Sequence, residues 1–223
     1  ERWLLPSGET VAAALPKGVS SHFGPNLKRF VLSQYHQAQV TIPRLTAQLT
    51  GLGVEISKRQ IVRLLSGKQD AFIKENIDVL RAGLASASWL NVDDTGARHK
   101  ARNGFCTHIG NDCFAFFATT SSKSRLNFLE LLRAGRDDYV INQAALDYMR
   151  EHKLPQATIA RFGDAEQRFA GRKAFMAHLQ KLGLTDLNVR PDPVQIATEA
   201  ALWGSIAEQG LLEGVVIAAR QSR

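Results

Sequence analysis

The chain has 223 residues, 44% of them hydrophobic and 22% charged, and a formal net charge of +7. That is enough to bury a substantial core, with the composition of an ordinary soluble globular protein. No apolar run approaches the roughly 20 residues of a membrane span, no secretory leader is visible, and two cysteines make no disulfide framework.

The excess charge is uneven. Residues 1–86 hold 11 Lys/Arg against 6 Asp/Glu, and residues 87–223 hold 17 against 15. A basic N-terminal portion points to a polyanionic partner, although a merely basic soluble protein gives the same count. Residues 1–23 are punctuated by Pro, Gly and Ser and read as a linker. The chain starts on Glu1 with no initiator Met, as a fragment does. Gly24-Pro25 opens a helix with Leu27, Phe30, Val31 and Tyr35 on one face.

Residues 41–66 carry the strongest local signal of this half. Thr41 is placed to cap a helix with Pro43 in its first turn and Leu45 and Leu49 inward, ended by Gly51 and Gly53. Ser57-Lys58-Arg59-Gln60 is a capping box, with Ile56 and Ile61 spaced as a hydrophobic staple. Ile61, Leu64 and Leu65 face inward, and Gly67 stops the helix. Two short helices with a basic second N-terminus are like a helix-turn-helix. On that reading Lys58, Arg59 and Arg63 face DNA and Gln60 reaches a base edge. An ordinary helical hairpin with a solvated basic face has the same pattern.

Residues 69–86 predict a longer helix through Ile73, Ile77, Leu80 and Leu84. The boundary between the regions is placed near residue 87, giving a 24–87 helical, basic region and an 88–223 remainder. Trp89-Leu90-Asn91-Val92 then reads as an apolar strand running into Asp93-Asp94-Thr95-Gly96. A carboxylate in a buried strand is costly unless something offsets it, and a metal ion is one offset that brings chemistry. The alternative is that the two aspartates only open a turn.

Arg98–Arg102 is basic and exposed, Asn103-Gly104 is a hairpin-turn signal, and 105–109 reads as a second strand. A third runs over 113–119 after a turn at Gly110-Asn111-Asp112. Cys106 and Cys113 are read as reduced core thiols, and Trp3, Trp89 and Trp203 as core fillers. Ser122-Lys123-Ser124 caps a helix over 124–134 with Leu126, Leu129 and Leu132 inward. Residues 136–210 predict a helical insertion, with helices at 144–153, 172–182 and 196–209. Asp164 and Glu166 are a second acidic pair, but no apolar strand precedes them, and a solvated loop is expected. The six histidines have no metal-type spacing. A last strand is placed at 215–217.

The fold class is therefore α/β: a helical N-terminal region with a helix-turn-helix-like unit, then three antiparallel strands and a helix. That order is the front half of an RNase H-like domain, whose first strand carries a metal-binding Asp. Two-metal chemistry needs carboxylates there, on a rigid element, to hold hard Mg²⁺ ions about 4 Å apart.

Several segments resemble the insertion-sequence-66 family of DDE transposases. Val92-Asp93-Asp94-Thr95-Gly96-Ala97-Arg98-His99 is similar to its first catalytic-Asp segment, where the usual pattern is Asp-Glu-Thr. Residues 103–112 and 122–132 resemble the strands and helix that follow. His22-Phe23-Gly24-Pro25-Asn26-Leu27 and residues 54–60 resemble the N-terminal region of one branch. The resemblance implies a bacterial, cytoplasmic mobile-element protein that binds transposon ends and transfers DNA strands with Mg²⁺ or Mn²⁺. It implies Asp93 as the first catalytic carboxylate and metal ligand, with Asp94 aligned to the following Glu. Side chains of adjacent strand residues point to opposite faces, so one of the two ligates metal directly.

The family's second Asp is expected after the strand at 215–217, where the chain reads Ala218-Ala219-Arg220-Gln221-Ser222-Arg223 with no carboxylate and no downstream Glu. The implied protein is a truncated copy, inactive alone and binding metal weakly. Its implied partners are double-stranded DNA and a second copy of the chain, with no membrane. The rival readings are a non-catalytic helix-turn-helix DNA-binding protein and a different RNase H-like nuclease.

Overall fold

The computed structural model describes residues 2–12, 22–67, 69–99, 101–185 and 191–219. The chain divides into two compact units, Glu1–Asp70 and Ala71–Arg223.

In the first unit, β1 (Arg2–Leu4) and β2 (Thr10–Ala12) form an antiparallel hairpin. It closes where the Leu5 amide donates to the Glu9 carbonyl at 2.8 Å. Part of the expected linker is thus paired, and residues 13–21 of it lie outside the described residues. α1 (Pro25–Leu32) runs into one wide turn at Ser33–Gln37, followed by α2 (Ile42–Gly51) and α3 (Lys58–Ser66). Val31, Leu45, Leu49, Ile56 and Ile61 make their shared core. Ser57 caps α3 as expected. Its hydroxyl accepts from the Gln60 amide at 3.2 Å, and Gln60 Oε1 accepts from the Ser57 amide at 2.8 Å. Thr41 does not cap α2 through its side chain. Pro43 occupies the second helical position and has no amide to offer it.

The second unit begins with α4 (Asp70–Ser86), which the sequence reading grouped with the preceding helices. Leu80 and Leu84 are buried in the larger core, but Ile73 is 60% exposed. The core covers only the C-terminal half of this helix, so the apolar periodicity overstates its buried length.

β3 (Trp89–His99), β4 (Arg102–Gly110) and β5 (Ala115–Thr120) form the expected antiparallel meander. The β3–β4 hairpin does not turn at Asn103-Gly104. Those residues pair with Arg98 and Ala97, and the strands close between His99 and Arg102, with Ala101 at φ 61°. The register that stacks Val92 on buried Ile109 prevails over the local turn signal. β5 starts two residues late because Asn111 builds the turn. Its side chain accepts from the Cys113 amide at 2.8 Å, and its amide donates to the Phe114 carbonyl at 3.0 Å. Cys113 is therefore exposed and Cys106 half-buried, rather than both in the core. Trp3 and Trp89 are likewise largely exposed.

α5 (Arg125–Leu132) follows, capped by Ser124 Oγ accepting from the Asn127 amide at 3.2 Å. Next come β6 (Tyr139–Ile141), α6 (Gln143–Glu151), α7 (Gln156–Ile159), a single tight turn at Ala160–Phe162, and β7 (Gln167–Phe169). α8 (Gly171–Lys181), α9 (Pro193–Glu208) and β8 (Val216–Ala219) complete the described unit. The small β6–β7 sheet was not expected. All three β6 residues are buried, but three residues carry too little pattern to announce a strand. α9 is buried almost all round, and Gly204 lets it approach the Val140 carbonyl of β6 closely.

The main sheet has the order β5-β4-β3-β8, with β8 parallel to β3 and the other pairs antiparallel. One face carries Leu90, Ile109 and Phe116 and packs in a core that includes Leu80, Leu84, Leu129 and Leu132. The opposite face carries Trp89, Asn91, Asp93, His108 and the exposed Phe117.

Candidate functional site

Strand β3 is central, and it is the strand at which the sheet changes from antiparallel to parallel pairing. The described β3–β8 pairing ends at Val92↔Ala219, so Asp93 and Asp94 are the first β3 residues past it.

The two carboxylates follow the strand's alternation. Asp94 continues the Leu90–Val92 face and accepts a hydrogen bond from Thr107 Oγ1 at 2.5 Å. Thr107 is buried and directly opposite in the register. Asp93 is on the other face, opposite His108, whose ring lies 4.9 Å from that of Phe117. Both aspartates are half-buried. They sit within a paired strand and do not open a turn.

His108 was passed over in the sequence because no metal spacing surrounds it. Its place beside Asp93 depends on register alone. A hairpin closed at Asn103-Gly104 would set Arg102 opposite Phe105 and leave Asp93 without a β4 partner.

The carboxylates of β3 are the natural donors for a two-metal centre. Such a centre needs several carboxylates converging on one side. Asp93 and Asp94 point to opposite faces, and among the described residues no group of three or more His, Cys, Asp or Glu could hold a metal ion. The described residues do not fit a two-metal site. Asp164 is exposed, apart from any such cluster.

In the first unit, Lys58, Arg59 and Arg63 are exposed on α3 and have no ion-pair partner among the described residues. Gln60 is half-buried, and its carbonyl oxygen is committed to the cap. A bidentate adenine contact needs both ends of the amide, so the cap conflicts with the base-edge role expected for Gln60.

Two other charged clusters are structural. Asp138 accepts from the Ser205 hydroxyl at 2.7 Å and pairs with Arg136 and Arg168, which both also pair with Glu208. Burial alone would raise the Asp138 carboxyl, but Ser205 and the two guanidiniums outweigh it and hold it below the usual carboxylate range. Buried Glu199 accepts from Tyr148 at 2.8 Å and from Gln195 at 2.9 Å. Burial, opposed by a hydrogen bond from Arg125 and reinforced by Glu199, pushes the Tyr148 hydroxyl up to about 12. Each cluster ties α9 to a neighbour.

The architecture is a mixed α/β chain in which a compact helical unit precedes a mixed sheet with a carboxylate pair on its central strand. Residues 20–126 match the model of the family described as "Transposase IS66 family". That matched stretch, just under half of the chain, includes α1 to β5 and both aspartates. A protein of Sinorhizobium fredii (strain NBRC 101917 / NGR234), named "Uncharacterized protein y4jO", is 44% identical over 140 residues. The alignment covers 62% of this chain and 43% of that relative's own length. No solved structure matches the chain. No helix among the described residues is long and apolar enough to cross a membrane.

Proposed function

We propose that this chain is a DNA-binding portion of an insertion-sequence transposase, with an RNase H-like sheet whose first catalytic carboxylate is Asp93. The observation that carries the reading is the family match over residues 20–126, which includes a carboxylate on the central strand of a sheet ordered β5-β4-β3-β8. A meander with a further strand parallel to its first member is consistent with the front of an RNase H-like domain. The DNA partner, a helix-turn-helix role for α2 and α3, and divalent metal as the family's usual cofactor belong to the same reading. Self-association is part of it as well.

The described residues offer one carboxylate on each face of β3. No chemical step through a metal is therefore derived for them, and the 223 residues are expected to bind DNA without transferring strands. The test is nicking of supercoiled plasmid and of transposon-end duplex by the purified chain with Mg²⁺ or Mn²⁺. No nicking is expected from the chain or from Asp93→Asn. Metal-dependent nicking abolished by Asp93→Asn would overturn the inactive reading. Failure to bind any duplex would overturn the DNA reading as a whole. A non-catalytic DNA-binding protein is the second reading, favoured by the exposed cations of the capped helix α3, which have no ion-pair partner among the described residues.

A further inference from the structure

The β3–β4 hairpin is longer than the sheet that supports it. On the β5 side, pairing begins only at Phe105↔Thr120, and on the β8 side the described pairing ends at Val92↔Ala219. Residues 97–99 and 102–104 therefore pair as a two-stranded ribbon beyond β5 and the described part of β8. The ribbon has no large apolar side chain from Gly96 to Gly104, so it adds nothing to the core. Ordering it still costs conformational entropy. Its sequence, Gly-Ala-Arg-His-Lys-Ala-Arg-Asn-Gly, holds three Lys/Arg and one His and no carboxylate. Arg98 and Arg102 are exposed, with no ion-pair partner among the described residues. Lys100 lies outside the described residues.

The register assigns the charges to both sides of the ribbon. Arg98 shares a face with Asn103 and continues the Asp94 side, whereas Arg102 pairs with His99 and continues the Asp93 side. Exposed Lys123 lies over the Phe105 ring, 5.5 Å from its centroid, at the ribbon's base. Gly96, Ala97, Ala101 and Gly104 keep the strands thin.

We propose that this basic ribbon is a second DNA-contacting element, an arm that holds duplex backbone beside the Asp93–Asp94 end of the sheet through Arg98, Arg102 and Lys123. The inference rests on the DNA-binding reading above and deepens it. B-DNA's major groove admits a two-stranded β-ribbon, whereas the deep, narrow groove of A-form RNA does not. Phosphate contacts carry no sequence information, so an arm that holds the backbone supplies position and not specificity. The competing explanation is that the charges only keep an exposed ribbon from pairing with other chains.

The experiment measures affinity of the full chain for a labelled 30-base-pair DNA duplex of arbitrary sequence across a salt series. Parent, Arg98→Ala/Arg102→Ala, Arg98→Lys/Arg102→Lys and Lys58→Ala/Arg59→Ala/Arg63→Ala are compared. The double-alanine arm variant is expected to lower the slope of log K against log salt by roughly two units, at about 0.9 per phosphate, and the double-lysine variant to restore it. Unchanged melting temperatures verify that the exposed substitutions leave the fold intact. An unchanged slope for the arm variant, with a reduced slope for the α3 variant, overturns the arm and leaves the DNA reading standing. A reduced slope for the arm alone keeps the arm and removes α3. A parent that binds no DNA overturns both. The same series is run on an RNA duplex of equal length, and a slope loss seen only there also overturns the arm.

Discussion

Thr107 donates its hydroxyl to Asp94 Oδ1 at 2.5 Å from the neighbouring strand. The donor is buried, so removing it strands a half-buried carboxylate without a replacement from water on that side. Thr107→Val is expected to destabilise the second unit by about 1–3 kcal/mol. Thr107→Ser keeps the donor and should cost clearly less. Asp94→Asn keeps an acceptor oxygen and should also be milder than Thr107→Val. Urea unfolding of the three variants checks this order, and equal stability of all three would show that the bond contributes nothing.

The exposed cations of α3 give a salt-dependent expectation. Replacing Lys58, Arg59 and Arg63 together with Ala should flatten the slope of log K against log salt for duplex DNA by about 2–3 units, since each neutralised phosphate releases condensed counterion. Gln60→Ala should act differently, lowering stability through loss of half the capping box while leaving the salt slope alone. Titrations at four or more salt concentrations separate the two effects.

Two glycines separate close packing from empty space. A Cβ at Gly204 would fall 2.2 Å from the Val140 carbonyl oxygen, whereas a Cβ at Gly51 meets nothing within 4 Å. Gly204→Ala must push α9 away from β6 and is expected to cost about 1–3 kcal/mol or more. Gly51→Ala, within a helix at ordinary dihedrals, should be neutral or stabilising by up to about 1 kcal/mol. Thermal melts of both variants decide it.

Asp138 supplies a pH dependence. Its folded carboxyl is held below the value of the unfolded chain, about 3.9, so its contribution is complete above that value. The contribution is lost as pH falls through the lower, folded value. The parent should therefore lose stability below about pH 4 more steeply than Asp138→Asn, which is less stable at neutral pH but lacks this titration. Denaturation midpoints from pH 6 down to pH 3 test the difference.

Much of the first unit was legible because its signals are local. The Ser57–Gln60 box and the Leu45, Leu49 and Ile61 spacing need only a few residues of context, and each side chain is where that context puts it. The three-stranded meander was legible through its apolar runs. What failed was decided at a distance. The β3–β4 turn is set by stacking Val92 on Ile109, not by Asn103-Gly104, and with the turn misplaced His108 could not be seen beside Asp93. β6 is three residues long and exists because α9 covers it. The resemblance supplied a role for Asp93, whereas alternation along the strand, a local rule, correctly separated it from Asp94.

The parallel partner of β3 arrives late. β4 follows β3 after a tight turn, but β8 lies more than a hundred residues further along the chain. During synthesis the meander can zip as soon as β5 emerges, while the β8 side of β3 waits with its backbone groups unpaired through the making of α5 to α9. Closing so long a loop is slow, because its entropy must be lost before the pairing returns anything. Throughout that interval the exposed flank of β3, the strand that bears Asp93, is open to any other extended segment, a nascent neighbour included.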